Sequence, residues 1–341
     1  MDFQATFSPS GQQIRIGSDE TILEAALRQG INLPCGCRHG ACGACRATVL
    51  EGTVNHGKTQ EQALSEDDKA AGKALLCCAH ATSDVRIAVR IVAAQSGIPV
   101  KILPARVEKR TPLAEDVIEL KLKLPAGESL RFLAGQYIDF LLKNGERRSF
   151  SLANAPHDDE FLQLHIRRIP GGVFTEQVFS TMKERDILRL EGPFGSFFLR
   201  EESDKPILFV AGGTGFAPVK GMIEHLIATR SARPVSLYWG ARNRAGLYLD
   251  ALAAKWEKEH PALRYIPVLS EASAEEQWTG RTGLVHEAAM RDLPDLSGWQ
   301  AYVCGAPGLV AAARHDFGER CGLPEDEFFA DSFEFANAPP V

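Results

Sequence analysis

Cys37-Arg-His-Gly-Ala-Cys42-Gly-Ala-Cys45 puts three thiols on one short loop, and Cys77, in Ala74-Leu-Leu-Cys77-Cys78, offers a fourth from a distant segment. Of eight cysteines, six fall between Cys35 and Cys78 and only Cys304 and Cys321 lie elsewhere. Eight are too few to scaffold 341 residues with disulfides, and in a reducing compartment such clustering favours metal ligation. The small residues Gly40, Ala41, Gly43 and Ala44 let main-chain N–H groups approach the sulfurs.

The C-x4-C-x2-C spacing with a remote fourth cysteine is that of plant-type [2Fe-2S] centres. A structural zinc site is usually built from two C-x2-C or C-x2-H pairs, and here there is one. The expected ligands are Cys37, Cys42, Cys45 and Cys77, while Cys35 and Cys78 each stand close to a proposed ligand.

Working outward, 341 residues suggest two or three domains at roughly 100 to 200 residues each. Hydrophobic residues at 45% and charged residues at 24% fit a globular chain and exclude a disordered or collagen-like one. With 38 basic and 44 acidic side chains the net charge is −6, which gives no basic footprint for nucleic acid. No apolar run approaches the roughly 18 residues of a membrane helix. Met1 to Ser10 has neither a basic start nor an apolar run, so the chain reads as soluble and cytoplasmic.

Residues 1–92 open with two short strand-like runs and a capping-box pattern, Thr21-Ile-Leu-Glu24, leading into an amphipathic stretch that ends at Gly30. Residues 93–104, rich in small residues and proline, read as a linker. Over 105–203 the period is two: Ile118, Leu120, Leu122 and Leu124 alternate with charged residues, as in antiparallel strands of a small barrel. From 204 to 341 continuous apolar runs (Ile207–Ala211, Val235–Trp239, Ala301–Cys304) alternate with helical stretches, the grammar of a parallel sheet covered by helices. The expected fold class is multidomain α+β and α/β.

Two further segments carry chemistry. Arg148-Ser-Phe-Ser151 and His165-Ile-Arg-Arg-Ile-Pro-Gly-Gly-Val-Phe-Thr175 pair a cation and hydroxyls with a glycine turn at a helix start. Ile207-Leu-Phe-Val-Ala-Gly-Gly-Thr-Gly-Phe-Ala-Pro218 runs a buried strand into a glycine turn and a helix with proline in its first turn. It is not the G-x-G-x-x-G fingerprint, and alone it reads equally as a tight strand-to-helix connection.

In this order the segments resemble ferredoxin-NAD(P)H reductase-type oxidoreductases with an N-terminal plant-type ferredoxin domain, the reductase components of bacterial multicomponent oxygenases. The chain is similar, too, to the CDP-6-deoxy-glucoseen reductases of deoxysugar biosynthesis. The resemblance covers essentially every residue. It implies a β-grasp ferredoxin domain (1–92), an antiparallel β-barrel for the flavin (105–203) and a parallel-sheet α/β nicotinamide domain (204–341). It favours FAD over FMN, because the related FMN reductases carry their ferredoxin at the C-terminus.

By the same resemblance Arg148 pairs with the flavin pyrophosphate, Phe150 packs on the flavin and Ser151 bonds near its N5, with His165, Arg167, Gly171, Gly172 and Thr175 completing the flavin segment. Gly213, Thr214, Gly215 and Pro218, then Gly240, Arg242 and Arg244, and finally Cys304, Gly305 and Pro307 are implied for the nicotinamide nucleotide. Ser151, Cys304 and Asp331 would serve hydride and proton movement, with Phe333 covering the ring. Relatives often carry an acid where Gly246 stands; an acid favours a free ribose 2′-OH and arginines accommodate a 2′-phosphate, so the donor is left as NAD(P)H.

The expected function is electron transfer from NAD(P)H through FAD and the [2Fe-2S] centre to an oxygenase component or its ferredoxin. The alternative acceptor is a dehydrase of deoxysugar synthesis. An alternative of another class is a redox sensor that holds flavin and cluster without efficient turnover.

Overall fold

The computed structural model describes residues 2–92 and 97–333, which fall into two compact units. Unit 1 holds the N-terminal residues to Ile98, together with two remote pieces, Gly195–Phe197 and the stretch that begins at Ala330. Its elements are β1 (Phe3–Ser8), β2 (Gln13–Ile16), α1 (Ile22–Arg28), β3 (Arg46–Glu51), β4 (Val54–Asn55), α2 (Glu66–Ala70), β5 (Lys73–Leu75), β6 (His80–Ala81) and β7 (Val85–Ala88). The main sheet runs β2-β1-β7-β3-β5, with β1 and β7 parallel and the other neighbours antiparallel. Alternation does the sorting: Ala5 and Phe7 of β1 and Ile14 and Ile16 of β2 point inward, where α1 covers them with Ile22, Leu23, Ala25 and Ala26. The helix starts as the sequence predicts, with Thr21 Oγ1 accepting from the Glu24 N–H and the Glu24 carboxylate accepting from the Thr21 N–H. The cysteine loop joins α1 to β3.

Unit 2 takes Pro99–Phe194 and Phe198–Phe329. Its first half is β8 (Lys101–Ala114), β9 (Val117–Lys123), β10 (Tyr137–Leu141), β11 (Arg147–Ser151), β12 (Leu162–Arg167), α3 (Val173–Ser180) and β13 (Ile187–Phe194). The strands pair antiparallel in the order β11-β10-β13-β8-β9-β12. A bridge between Leu152 and Leu164 ties the two outer strands and closes the barrel. Its interior is apolar, with Leu120, Leu122, Ile138, Phe140, Leu164 and Leu190 among the buried side chains, each worth roughly 1.5–3 kcal/mol of transfer. Strand β8 begins at Lys101, inside the stretch expected to be linker: Leu103, Ala105 and Val107 already keep the period of two, and Pro104 is accommodated opposite Arg189. The linker residues 93–96 lie outside the described residues.

The second half is β14 (Ile207–Gly212), α4 (Phe216–Ala228), β15 (Val235–Ala241), α5 (Asp250–Glu259), β16 (Leu263–Leu269), β17 (Arg281–Thr282), α6 (Val285–Asp292), β18 (Gln300–Gly305), α7 (Pro307–Cys321) and β19 (Phe328–Ser332). Strands β17-β16-β15-β14-β18 are all parallel, and the three apolar runs read from the sequence are its fully buried middle. The chain moves outward from β14 through β15 and β16, then returns to place β18 on the other side of β14. Ligands of such sheets bind at the carboxyl ends of the strands flanking this reversal.

Replacing Thr21 by Ala removes the cap oxygen while leaving the apolar face of α1 intact. The expected loss is about 1 kcal/mol, read as an earlier urea transition of unit 1.

Candidate functional site

All eight cysteines are free thiols. In unit 1 four of their sulfurs come as two pairs. Cys45 Sγ and Cys77 Sγ are 3.2 Å apart, and a hydrogen bond from Cys42 is the first cause holding the Cys37 thiol down to about 3. Main-chain donors surround the second pair: the Ala41 and Cys42 N–H groups donate to Cys37 Sγ at 3.4 Å, and those of Cys37 and Ala44 donate to Cys42 Sγ at 3.3 and 3.5 Å. Amides aimed at sulfur stabilise thiolate charge, which is what a metal ligand carries.

Two thiolates on one tetrahedral centre, with bonds of about 2.3 Å, stand about 3.8 Å apart. The Cys45–Cys77 sulfurs would have to stand about half an ångström further apart to share one metal ion. Among the described residues no group of three or more His, Cys, Asp or Glu side chains is gathered to hold one metal ion; two pairs, each for one iron, is the arrangement a two-iron group can use. Cys35 is distinct: burial pushes its thiol up to about 11, and its sulfur accepts from the Gly195 N–H. Cys78 Sγ lies 3.7 Å from Cys77 Sγ, against Gly40. Gly40 has φ +81°, and a Cβ there would stand 2.6 Å from the Lys58 carbonyl oxygen, so the loop closes only around glycine. Asp331 joins this unit, with Oδ1 4.0 Å from where a Cβ on Gly36 would lie; Phe333 is half-buried.

On the barrel, β11 carries Arg148, Phe150 and the buried Ser151. Phe150 packs on Phe174 of α3, ring centroids 5.3 Å apart, which brings the Arg148 strand to the start of α3. That helix begins at Gly172 without a side-chain cap, so its first N–H groups suit a phosphate. Thr175 Oγ1 turns back to Ile169 and Gly172, and Arg148 pairs with Glu146 at 2.6 Å. The cation, the aromatic face and the uncapped helix start fit a flavin nucleotide.

At the reversal of the parallel sheet, the turn after β14 meets the end of β18. A Cβ on Gly215 would lie 2.2 Å from the carbonyl oxygen of the fully buried Cys304, so main chain packs directly on main chain. Both α4 and α7 start without side-chain caps, α7 with Pro307 in its first turn. Trp239 donates to the Gly213 carbonyl at 2.9 Å and stacks on Phe216 at 3.9 Å, which fixes Gly213, Thr214 and Gly215 over the strand ends. Pro218 is buried in the first turn of α4.

Arg167, expected with the flavin, stands at this glycine turn. Its guanidinium lies about one contact distance from Gly213, 3.5 Å from a Cβ built there, with Nη1 3.3 Å from Asp116 and with Nε and Nη2 buried without a partner. Two donor nitrogens left over beside a glycine turn suit an anion. His165, two residues earlier on β12, meets the Tyr248 hydroxyl at 3.0 Å through Nδ1, while its Nε2 is buried and unpartnered. Arg242 and Arg244 are both exposed. Arg242 faces Glu271 at 3.9 Å, and the main-chain N–H of Arg244 donates to Glu276 at 2.6 Å. Gly240 packs against Val285 at the end of β15.

Sequence reasoning passed over Lys220, Tyr248 and Asp116. Lys220 is 6% exposed and donates to the Ala153 carbonyl, Gln163 and Glu224 at 3.1, 3.3 and 2.9 Å, joining α4 to the barrel. The signal was a lysine four residues into an otherwise apolar first half of α4.

Burial, then the charge of Lys220, lowers His165 to about 3. The folded chain thus holds this imidazole neutral while the unfolded chain protonates near 6.5, so stability is full above 6.5 and falls on acidification until about 3. Urea unfolding is expected to give about 1 kcal/mol less stability at pH 5.5 than at 7.5 from this group, and His165→Gln to remove that part of the slope.

Residues 5–82 match the family model of the 2Fe-2S iron-sulfur cluster binding domain, 104–199 that of the oxidoreductase FAD-binding domain and 209–315 that of the oxidoreductase NAD-binding domain. The chain is 41% identical to the CDP-6-deoxy-L-threo-D-glycero-4-hexulose-3-dehydrase reductase of Yersinia pestis, over 98% of this chain and 99% of that one. It is 37% identical to reductase component 2 of the terephthalate 1,2-dioxygenase of a Comamonas species, over 92% of each. Among solved structures, an Amycolatopsis cytochrome P450 reductase superposes with a TM-score of 0.76 at 34% identity, covering 97% of this chain and 98% of that one. No helix among the described residues is long and apolar enough to cross a membrane. With these three domains in this order and this likeness along its whole length, the chain belongs to the NAD(P)H-dependent, FAD-containing reductases of ferredoxin-reductase type that carry an N-terminal [2Fe-2S] domain.

Proposed function

We propose that this reductase serves a sugar-nucleotide dehydrase. The observation that carries the reading is its 41% identity over 98% of the chain to a dehydrase reductase, against 37% over 92% for a dioxygenase reductase. The sequence read alone puts an oxygenase first; the relatives reverse that order. Eight free thiols suit the cytoplasm, a reducing compartment.

When bound, FAD takes up the two electrons of a hydride and releases them singly to the iron-sulfur centre. The chain's own residues position this. Arg148 exchanges Glu146 for the flavin pyrophosphate, which the N–H groups at the start of α3 share. Phe150 supports the ring, and Ser151 holds the proton that moves at N5. On the donor side, the Gly213–Gly215 turn and the two spare donor nitrogens of Arg167 would hold the nicotinamide pyrophosphate. Cys304 and Gly305 end strand β18 on the nicotinamide side, and Glu271 beside Arg242 disfavours a 2′-phosphate, so NADH is the preferred donor. Cys37, Cys42, Cys45 and Cys77 hold the cluster.

Anaerobic titration with NADH is expected to bleach the flavin and raise a reduced [2Fe-2S] EPR signal at lower concentration than NADPH. Added to the loaded protein and NADH, a CDP-6-deoxy-4-hexulose dehydrase is expected to turn over; turnover of an oxygenase component alone would return the oxygenase reading to first place. Ser at position 37, 42, 45 or 77 is expected to abolish the cluster's visible absorption, while Cys35→Ser and Cys78→Ser keep it.

A further inference from the structure

We infer that Ser196 is a positioning residue for the iron-sulfur centre: it pins the main chain of Cys35 and so sets the aim of the Cys37 amide at the Cys42 sulfur. The inference rests on the reading that Cys37, Cys42, Cys45 and Cys77 hold the cluster.

Ser196 lies 161 residues from Cys35 in sequence, in the segment between β13 and β14, yet it belongs to the same compact unit as the cysteine loop. It is 8% exposed and satisfies both main-chain groups of Cys35. The Cys35 N–H donates to Ser196 Oγ at 2.8 Å, and the Cys35 carbonyl accepts from Ser196 Oγ at 2.9 Å and from the Ser196 N–H at 2.8 Å. The neighbouring Gly195 N–H donates to the Cys35 sulfur. Three donors and one acceptor thus hold a residue that ligates nothing in the proposed set.

Between this anchor and the first ligand stands only Gly36, and it is enclosed: a Cβ there would meet Cys42 Sγ at 2.9 Å and Ala44 Cβ at 3.3 Å. A shift of the Cys35 peptide is therefore passed on to Cys37, whose N–H donates to Cys42 Sγ at 3.3 Å. Hydrogen bonds to ligand sulfurs favour the more negative, reduced state of a cluster and so raise its potential. A serine hydroxyl suits the position because it accepts and donates at once. Alanine leaves the Cys35 N–H buried without a partner and drives the loop to reorient.

The test uses the full-length, cluster-loaded chain with Ser196→Ala and the near-isosteric pair Ser196→Thr and Ser196→Val, which differ by a hydroxyl against a methyl. Cluster content, the EPR g-values after dithionite, equilibrium redox titration and hydrogen exchange at the Cys35 and Cys37 amides are measured. The expected result is that Ser196→Thr stays within about twofold of the parent, whereas Ala and Val shift the g-values and lower the reduced-to-oxidised ratio at the parent's midpoint poise about tenfold. Exchange at the Cys35 amide should rise by a similar factor. If Ala and Val fail to load cluster while Thr loads it, the hydroxyl is still assigned the role. Variants with parental g-values and potential, changed only in melting temperature, would reduce Ser196 to a packing contact and overturn the inference. A parent chain without a reduced [2Fe-2S] signal would overturn the function reading and this inference together; a normal parent with unmoved variants overturns this inference alone.

Discussion

Main chain packed against main chain is the constraint on which the sites of this molecule depend. A Cβ on Gly215 would penetrate the Cys304 carbonyl, and one on Gly40 the Lys58 carbonyl, at 2.2 and 2.6 Å. In each place the absence of a side chain lets main chain approach main chain and leaves peptide N–H groups suited to an anionic group. The thiolate loop, the start of α3 and the turn into α4 are three versions of one device. Fixed peptide dipoles need little reorganisation when charge arrives, which suits a protein whose task is to pass charge on.

Inside unit 2 the barrel and the parallel sheet meet through polar side chains that are almost wholly out of water. Lys220 spreads its charge over one carboxylate and two carbonyl-type oxygens, and the His165 ring stands edge-on to Tyr248 with centroids 5.4 Å apart. Breaking such a buried arrangement on one side costs far more than its net contribution when complete, so it specifies one way of packing. Arg167 sits at the edge of this seam with donors to spare, which places a barrel cation beside the glycine turn of the sheet.

Much of this was legible in the sequence because spacing encodes it. The cysteine pattern located the loop, the alternation over Ile118–Leu124 announced the antiparallel strands, and the apolar run into Gly212 announced the central parallel strand. Other features depend on contacts between distant segments, and no local pattern carries them. Nothing around Ser196 marks it as a partner of Cys35. Arg167 shares a motif with the flavin residues, but strand β12 delivers it to the glycine turn. Nothing near Arg242 in sequence shows that it faces Glu271, which arrives from beyond the end of the adjacent strand β16. Lys101–Pro104 looked like linker because proline and a nearby glycine outweighed a strand period only a few residues long.

The bridge between Leu152 and Leu164 has a consequence for life in a crowded solution. An open six-stranded sheet would offer two rows of unsatisfied peptide groups as templates for strands of other chains; the bridge from the end of β11 to β12 draws the two edges together at one point and leaves less of either row open. Unit 1 cannot close its sheet and protects it differently. Its outer strands, β2 and β5, are only four and three residues long and bear Arg15 and Lys73. Short, cationic margins are poor nuclei for intermolecular β-pairing, so this chain is guarded against strand pairing with its own copies.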